Sequence, residues 1–160
     1  MKKVFKFFLF ASIINFSFAE EEKKKPTIEI FQDWILSCNT ENKLCIANQT
    51  IRTDKGFPVA LINISRISEN IVLEFGLPLM MNLQKQVEVE VDGNMISTYS
   101  YKTCSDRACF VITKNDDNLL NSFRSGSKAR VILESIDRTR LDLTFSLKGF
   151  TDILSRIEGY

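Results

Sequence analysis

The sequence predicts an all-β protein, an antiparallel β-sandwich or a barrel-like relative of it, with about eight or nine strands and one or two short helices. Three observations lead to this prediction. Short runs of residues alternate between apolar and polar, turn-forming residues separate the runs at intervals of roughly 8–12 residues, and the four cysteines fall into two close pairs. The chain is long enough to bury one hydrophobic core.

The N-terminus predicts export. Lysines near the start precede an apolar run over residues 7–18, and the small residues Ser17 and Ala19 follow at its end. This order is typical of a secretory signal peptide, here spanning 1–19 and cleaved after Ala19. An uncleaved membrane anchor is the alternative, but the run is shorter than the roughly 20 residues that cross a bilayer.

A charged stretch over residues 20–27 follows and is expected to be a flexible linker. Residues 28–160 are then expected to form a single domain. No stretch of this domain is apolar enough to predict a transmembrane segment. The predicted location is therefore periplasmic or secreted.

The first half of the domain predicts four strands in succession. In each of them apolar residues alternate with polar ones, as in a strand that buries one face. Trp34, Leu36 and Cys38 share the buried face of the first strand. The four predicted strands cover residues 28–38, 44–53, 58–67 and 71–75.

The second half predicts five more strands and two helical segments. The pair Asp92–Gly93 is a strong hairpin signal. Asp116 or Asp117 is expected to cap a short helix over 118–124, and Gly126 to close it. A helical turn or two is expected over 151–157. The five predicted strands cover residues 87–91, 95–102, 108–114, 130–136 and 141–147.

The cysteines pair closely in sequence, Cys38 with Cys45 and Cys104 with Cys109. An even number of cysteines in an exported chain predicts disulfides. Three connectivities are open, and the local one is favoured because a tight connection between neighbouring strands can join each pair. Closing each loop should stabilise the fold by roughly 2 kcal/mol. A four-thiolate metal site is the alternative, but the spacing differs from that of zinc knuckles, and the C-x-x-C pattern of redox pairs is absent.

The composition excludes several function classes. The chain contains no histidine, which removes Ser-His-Asp and Cys-His catalysis and the usual ligands of zinc hydrolases. The formal net charge is +1, and the lysines of the predicted signal peptide account for that positive excess, so nothing favours nucleic-acid binding. We therefore predict no catalytic residue, no metal site and no cofactor.

An ordered set of features resembles a known family. The features are, in order, a strand with Trp34 and Cys38, then Cys45, a polar strand with Gln49, a Leu-Pro-Leu element over 77–79, a valine-rich strand ending in Asp92 and Gly93, the second cysteine pair, and the segment 147–150 before a short helix. No single feature is specific, but the ordered set over residues 28–157 resembles the invasion-associated locus B (IalB) family of exported bacterial proteins.

The resemblance implies a β-rich sandwich-like domain, a periplasmic, secreted or outer-membrane-associated location, and no established catalytic activity. It supplies no catalytic residue to carry over. The chain departs from the family at one point, because members tend to place a glycine after the Leu-Pro-x element and this chain has Met80 there. The role of that loop's backbone is therefore in doubt.

The sequence thus favours a protein that acts by binding an unknown protein or envelope component, host-cell association included, and not by catalysis. The alternative is a periplasmic carrier that holds a small apolar ligand in a cavity between two sheets. The 13 phenylalanines of the chain permit such a cavity without requiring it.

One candidate contact segment is apolar. Leu79, Met80 and Met81 follow Pro78 directly. Flexible thioethers suit a contact surface that adapts to its partner. Burial of the whole segment in the core is the alternative.

A second candidate is the loop between Cys104 and Cys109, which presents Asp106 and Arg107 at its tip. Loops on a rigid scaffold often carry recognition, and an ordinary polar turn is the alternative. Glu88, Glu90 and Asp92 form an acidic stripe on one face of the valine-rich strand. A solvated outer face that discourages edge pairing is favoured, and binding of a cation or a basic partner is the alternative.

Overall fold

The computed structural model describes residues 26–39 and 41–159. The predicted signal peptide over 1–19 lies outside the described residues, as does most of the predicted linker over 20–27. Thr27 already belongs to the first strand. The ladder of strands therefore begins one residue before the predicted start of the domain.

Eleven strands and two helices form in the described part of the chain. They are β1 (Thr27–Phe31), β2 (Trp34–Asn39), β3 (Leu44–Arg52), β4 (Pro58–Ile67), β5 (Asn70–Leu77), β6 (Val87–Val91), β7 (Asn94–Tyr99), β8 (Thr103–Cys104), β9 (Cys109–Lys114), α1 (Asp117–Ser125), β10 (Lys128–Glu134), β11 (Arg140–Ser146) and α2 (Phe150–Glu158).

The strands form two antiparallel sheets. The larger has the order β1-β2-β3-β4-β5-β9-β8 and the smaller the order β11-β10-β6-β7. Neither sheet closes on itself, so the predicted all-β class is confirmed in its sandwich form and not in the barrel-like one. The chain changes sheets after β5, after β7 and, through α1, after β9.

The structure has two strands more than the upper predicted number of nine. The run over 28–38 splits at Gln32 and Asp33 into the β1–β2 hairpin, and Gln32 adopts a φ of 54° there. The split was not predicted because this turn contains neither glycine nor proline, the residues that usually mark one. The second addition, β8, is a two-residue strand beside β9.

The core lies between the sheets and under the helices. Alternate residues of each central strand point inward, as Ala60, Ile62 and Ile64 do on β4, where none is more than 3% exposed. Helix α2 contacts the first four strands of the larger sheet and also α1. The apolar residues of both helices thus close the part of the core next to these strands.

An aromatic cluster joins the helices to the larger sheet. Phe150, the first residue of α2, packs edge-to-face on Trp34 with 5.5 Å between ring centroids and on Phe123 of α1 at 5.2 Å. All three side chains are fully buried. Such pairs add about 0.5–1.5 kcal/mol to the stabilisation from burial alone.

Candidate interaction site

Both predicted disulfides form, and each one joins directly opposed residues of a hairpin. Cys38 on β2 faces Cys45 on β3 with 4.0 Å between Cα atoms, and Cys104 on β8 faces Cys109 on β9 at 3.9 Å. The local connectivity is therefore confirmed. It excludes the four-thiolate metal site, because every cysteine of the chain is used in a disulfide.

The loop stapled by the second disulfide is strongly exposed. The side chains of Arg107 and Asp106 are 89% and 84% exposed and lie 3.8 Å apart. The hydroxyl of Ser105 accepts hydrogen bonds from the backbone N–H groups of Arg107 and Ala108, at 3.1 and 3.3 Å. Since Ser105 holds the turn, the side chains of Asp106 and Arg107 are available for contact with a partner.

The predicted apolar segment runs from the larger sheet to the smaller one. Met81 forms an isolated antiparallel bridge with Ser135, and the backbone N–H of Ile136 donates to the carbonyl of Met80 at 3.0 Å. The connection between β5 and β6 is therefore tied to the end of β10. This contact brings Met80 beside a residue that is far away in sequence.

An apolar groove of about 420 Å³ lies between this segment and the β10–β11 loop, and Met80, Met81, Ile136 and Leu141 line it. Met80 is 67% exposed and Ile136 is 60% exposed, whereas Met81 is 8% exposed. The segment is therefore partly an exposed contact surface and partly buried in the core. Met81 belongs to the core, while Met80 and Leu79 (39% exposed) face solvent.

The backbone of Met80 is left-handed, with a φ of 67°. Glycine adopts this conformation freely, whereas another L-residue is destabilised there by roughly 1–2 kcal/mol. This is the position at which the family resemblance predicts a glycine. The loop thus keeps a glycine-like backbone while presenting a long apolar side chain to solvent.

A hydrogen-bonded turn forms the polar side of the groove. The carboxylate of Asp137 accepts hydrogen bonds from the hydroxyl of Ser135 and from the backbone N–H of Thr139. These bonds, that from Ser135 first, hold the pKa of Asp137 below its usual range. The groove is therefore bordered by a fixed negative charge.

A second cleft, of about 350 Å³, adjoins the turn and carries charges of both signs, among them Lys85, Glu88 and Arg138. Its other carboxylate, Glu134, accepts a hydrogen bond from the amide of Asn82 at 2.9 Å. Within residues 26–39 and 41–159, no group of three or more Cys, Asp or Glu side chains is placed to hold a metal ion.

Sequence reasoning missed Ile136 as a member of the site. The alternating pattern placed it at the end of a predicted strand over 130–136, whereas β10 ends at Glu134. The turn-forming residue Asp137, which directly follows Ile136 in the sequence, was the only indication that the strand ends near this point.

The space between the sheets is filled with side chains. Trp34, Phe75 and Phe145 are all fully buried there, and the clefts described above open at the surface. None of these observations favours a ligand cavity between the sheets. In the described ranges, neither helix is long and apolar enough to cross a membrane.

A family model and a solved structure match the chain. The family model of the invasion associated locus B (IalB) protein matches residues 34–158. The crystal structure of invasion associated protein B from Bartonella henselae is similar, with a TM-score of 0.76 and 20% sequence identity, and the match covers 83% of this chain and 96% of that chain. Among curated proteins, none matches significantly.

Proposed function

The chain belongs to the invasion associated locus B family, and on this premise we propose that it is an exported binding protein that acts by contact with a partner and not by catalysis. The partner is a protein or an envelope component, and association with a host cell is included in this proposal. The groove between Met80 and Ile136 is the contact site.

The exposed, left-handed Met80 carries this proposal. A residue held in an unfavourable backbone conformation is often part of a functional site, because the surrounding structure must stabilise it. Glycine at this position would relieve the unfavourable backbone, and yet an apolar side chain occupies it and is 67% exposed. With 67% of Met80 exposed, its side chain contributes little to the core and is available to a partner.

The chemistry of the groove indicates the kind of partner. Exposed apolar side chains that cluster at one site mark contact surfaces on soluble proteins. Met80 and Ile136 supply apolar surface, and the carboxylate of Asp137 lies beside them. We propose that a partner inserts an apolar side chain between Met80 and Ile136 and places a donor or cation near Asp137.

The disulfides and the family both fit an exported protein, and they support a proposal for the location. We propose that the signal peptide is cleaved after Ala19 and that the chain then acts in the periplasm or beyond it. N-terminal sequencing of protein recovered from the cell envelope should begin at Glu20. A chain that retains residues 1–19 would contradict the proposed cleavage.

Crosslinking in intact cells, followed by purification of the chain, tests the contact site. Met80→Gly and Ile136→Ser should each strongly reduce the amount of crosslinked partner, because each removes one apolar wall of the groove. Met95→Ser is the matched control, since Met95 is an exposed methionine on β7, away from the groove.

The stability of each variant separates binding from folding. We expect Met80→Gly to unfold at the same or a higher urea concentration than the wild type, because glycine relieves the left-handed backbone by about 1 kcal/mol. Equal recovery of the partner by the wild type and both groove variants would contradict the proposed site.

A further inference from the structure

The two disulfides of the chain differ in accessibility. Cys38 and Cys45 are 1% and 4% exposed, and both belong to the hydrophobic core. In the second pair, Cys109 is buried at 3% exposure, whereas Cys104 is exposed to solvent. Of the four cysteines, Cys104 is therefore the one that a dissolved reagent can reach while the fold is intact.

The strands that carry the two disulfides also differ in how firmly they are held. β2 and β3 lie inside the larger sheet, between β1 and β4, and they pair with each other through five residues. β8 is the last strand in the order of the same sheet, and its two residues pair with β9. Exchange at Cys38–Cys45 therefore requires the sheet to open, whereas exchange at Cys104–Cys109 requires no more than movement of a short edge strand.

Cys109 is held from its other side. β9 pairs with β5 through six residues, and Cys109 itself pairs with Leu77. Breaking the disulfide therefore leaves Cys109 in place and frees the side of Cys104. Because the freed thiol of Cys109 stays beside Cys104, closing the disulfide again is an intramolecular step.

Few other contacts hold the loop that presents Asp106 and Arg107. The backbone N–H of Ser105 donates to the carbonyl of Ala108 at 2.8 Å, and the hydrogen bonds of the Ser105 hydroxyl are exposed. Each of these bonds competes with bonds to water, so its net contribution to stability is small. The covalent link between the cysteines therefore keeps the loop in its observed conformation.

We propose that Cys104–Cys109 is a site of reversible thiol–disulfide exchange with a small thiol, and that its redox state sets whether the loop with Asp106 and Arg107 is held or released. An exposed disulfide is easier to reduce than a buried structural one. The absence of a C-x-x-C pair does not bear on this, because the disulfide is the substrate of the exchange and not its catalyst. The loop shares no residue with the groove at Met80, so each proposal can fail without the other.

The exchange takes two steps. The thiolate of a first small thiol attacks Sγ of Cys104, a sulfur–sulfur bond forms there, and the bond to Cys109 breaks. The electron pair of the broken bond stays on Sγ of Cys109, which takes up a proton. A second thiolate attacks the sulfur of the bound small thiol, and Sγ of Cys104 leaves with the electron pair and is protonated. The protein disulfide thus gains two electrons and two protons, and the two small thiols are oxidised to their own disulfide.

Reduction of the native protein by glutathione tests the proposal. The full chain is produced with its N-terminal segment, purified in the oxidised form from the periplasm of an expression host, and incubated with reduced glutathione at about pH 8, where part of the glutathione is thiolate. Samples are quenched with acid, alkylated and mapped by mass spectrometry. Cys104 and Cys109 should be alkylated at least about 100-fold faster than Cys38 and Cys45, the matched control in the same molecule. Equal rates for the two pairs, faster reduction of the first pair, or no reduction of the native protein would overturn the proposal.

Two variants test which sulfur is attacked. Cys109→Ser treated with oxidised glutathione should carry glutathione on Cys104, whereas Cys104→Ser should leave the buried Cys109 unmodified. Thermal unfolding shows whether both variants fold, and the mixed disulfide trapped by acid on the wild type gives the same assignment without them. Glutathione on Cys109 in place of Cys104 would overturn the proposed route.

Amide hydrogen exchange tests the release of the loop. The N–H groups of Lys102 and Ser105 are hydrogen-bonded in the oxidised protein, to the carbonyls of Phe110 and Ala108. After reduction and alkylation of the second pair, exchange at both should accelerate at least about 10-fold, while the amides of β2 and β3 keep their rates. Unchanged exchange at Lys102 and Ser105 would show that the disulfide does not hold the loop, and would overturn its proposed role as a switch.

Discussion

At the scale of single residues, Gln49 joins the two sheets. Its side-chain Nε2 donates to the carbonyls of Ser146 and Asp33, both at 3.0 Å, and its Oε1 accepts from the backbone N–H of Ser146 at 2.7 Å. The amide thus pairs with β11 as a backbone neighbour would. This contact gives Gln49, one of the residues that carry the family resemblance, a structural role.

Gln49→Ala should lower the free energy of unfolding by about 1–3 kcal/mol, because it leaves the N–H and the carbonyl of Ser146 without their partner. Urea denaturation measures the change. Gln84→Ala is the control, since Gln84 is an exposed glutamine of the β5–β6 connection. Equal effects at the two positions would show that the hydrogen bonds between Gln49 and Ser146, the clamp at Gln49, contribute nothing to stability.

Asp116 connects α1 to the smaller sheet. One carboxylate oxygen accepts from the backbone N–H of Leu119 at 3.0 Å, as a helix N-cap does, and the other accepts from the hydroxyl of Tyr99 at 2.6 Å. Of the two aspartates that the sequence offered as caps, the first is the cap. Asp117 occupies the first turn of the helix.

Asp116→Ala should lower the free energy of unfolding by about 1–2 kcal/mol, because it removes the cap and leaves the hydroxyl of Tyr99 without its acceptor. Asp117→Ala should lower it less, since that carboxylate lies in the first turn and interacts with the helix dipole, an effect of about 0.3–1 kcal/mol. Thermal or urea unfolding of the pair distinguishes them. The reverse order would contradict the assignment of the cap.

Tyr99 makes stability depend on pH at the alkaline end. Burial, and then the hydrogen bond to Asp116, raise the pKa of Tyr99 well above its ordinary value of 10.0. Above pH 10 the unfolded chain therefore loses this proton while the folded protein keeps it, so the stability contributed by the neutral phenol falls as pH rises. Tyr99→Phe should show a shallower loss of unfolding free energy between about pH 9.5 and 11. Identical slopes would contradict the raised pKa.

At the scale of the elements, most features that carry the family resemblance form the framework, whereas Leu79 of the Leu-Pro-Leu element belongs to the candidate contact segment and is exposed. Trp34 lies in the aromatic cluster, and the cysteine pairs staple two hairpins. The Asp92–Gly93 turn joins β6 to β7, and the carboxylate of Asp92 accepts from the backbone N–H groups of Ser127 and Lys128 at 2.8 and 3.0 Å. Most of the ordered motif set therefore specifies how the chain folds.

Gly149 fixes the start of α2 against the first strand. Its φ is 85°, and a Cβ placed there would lie 2.2 Å from the carbonyl oxygen of Phe31. Gly93 has nearly the same φ, 87°, but a Cβ there would meet nothing within 4 Å. The two glycines therefore separate the effect of backbone conformation from the effect of contact.

Gly93→Ala should lower the free energy of unfolding by roughly 1–2 kcal/mol, the effect of the left-handed backbone alone. Gly149→Ala should lower it by at least about 2 kcal/mol more, because α2 must move away from β1. Chemical denaturation of both variants gives the difference. If both variants lose the same stability, the contact with Phe31 is unimportant.

At the scale of the whole molecule, the framework and the candidate contact surfaces occupy different places. The two disulfides, the clamp at Gln49 and the aromatic cluster hold the sandwich from inside or at its strand ends. The groove at Met80 lies where the chain passes between sheets, and the exposed isoleucines of β1 lie on the outside of the larger sheet.

The sequence by itself predicted most strands, the hairpin at Asp92–Gly93, the local pairing of both disulfides as the favoured connectivity, and a helix cap at Asp116 or Asp117. These features depend on neighbours in the chain: alternation repeats every two residues, and the disulfides join cysteines seven and five positions apart. The β1–β2 split was missed because the turn at Gln32 and Asp33 contains neither glycine nor proline.

The tertiary structure alone decided which residues meet across long separations. Gln49 reaches Ser146, 97 positions away, and Met80 meets Ile136 through a pairing of two loops. The sequence also could not show that Ile28 and Ile30 face solvent, because alternation reveals that a strand has two faces but not which one is covered. Only the packing of one sheet and two helices on the inner face leaves the isoleucines outside.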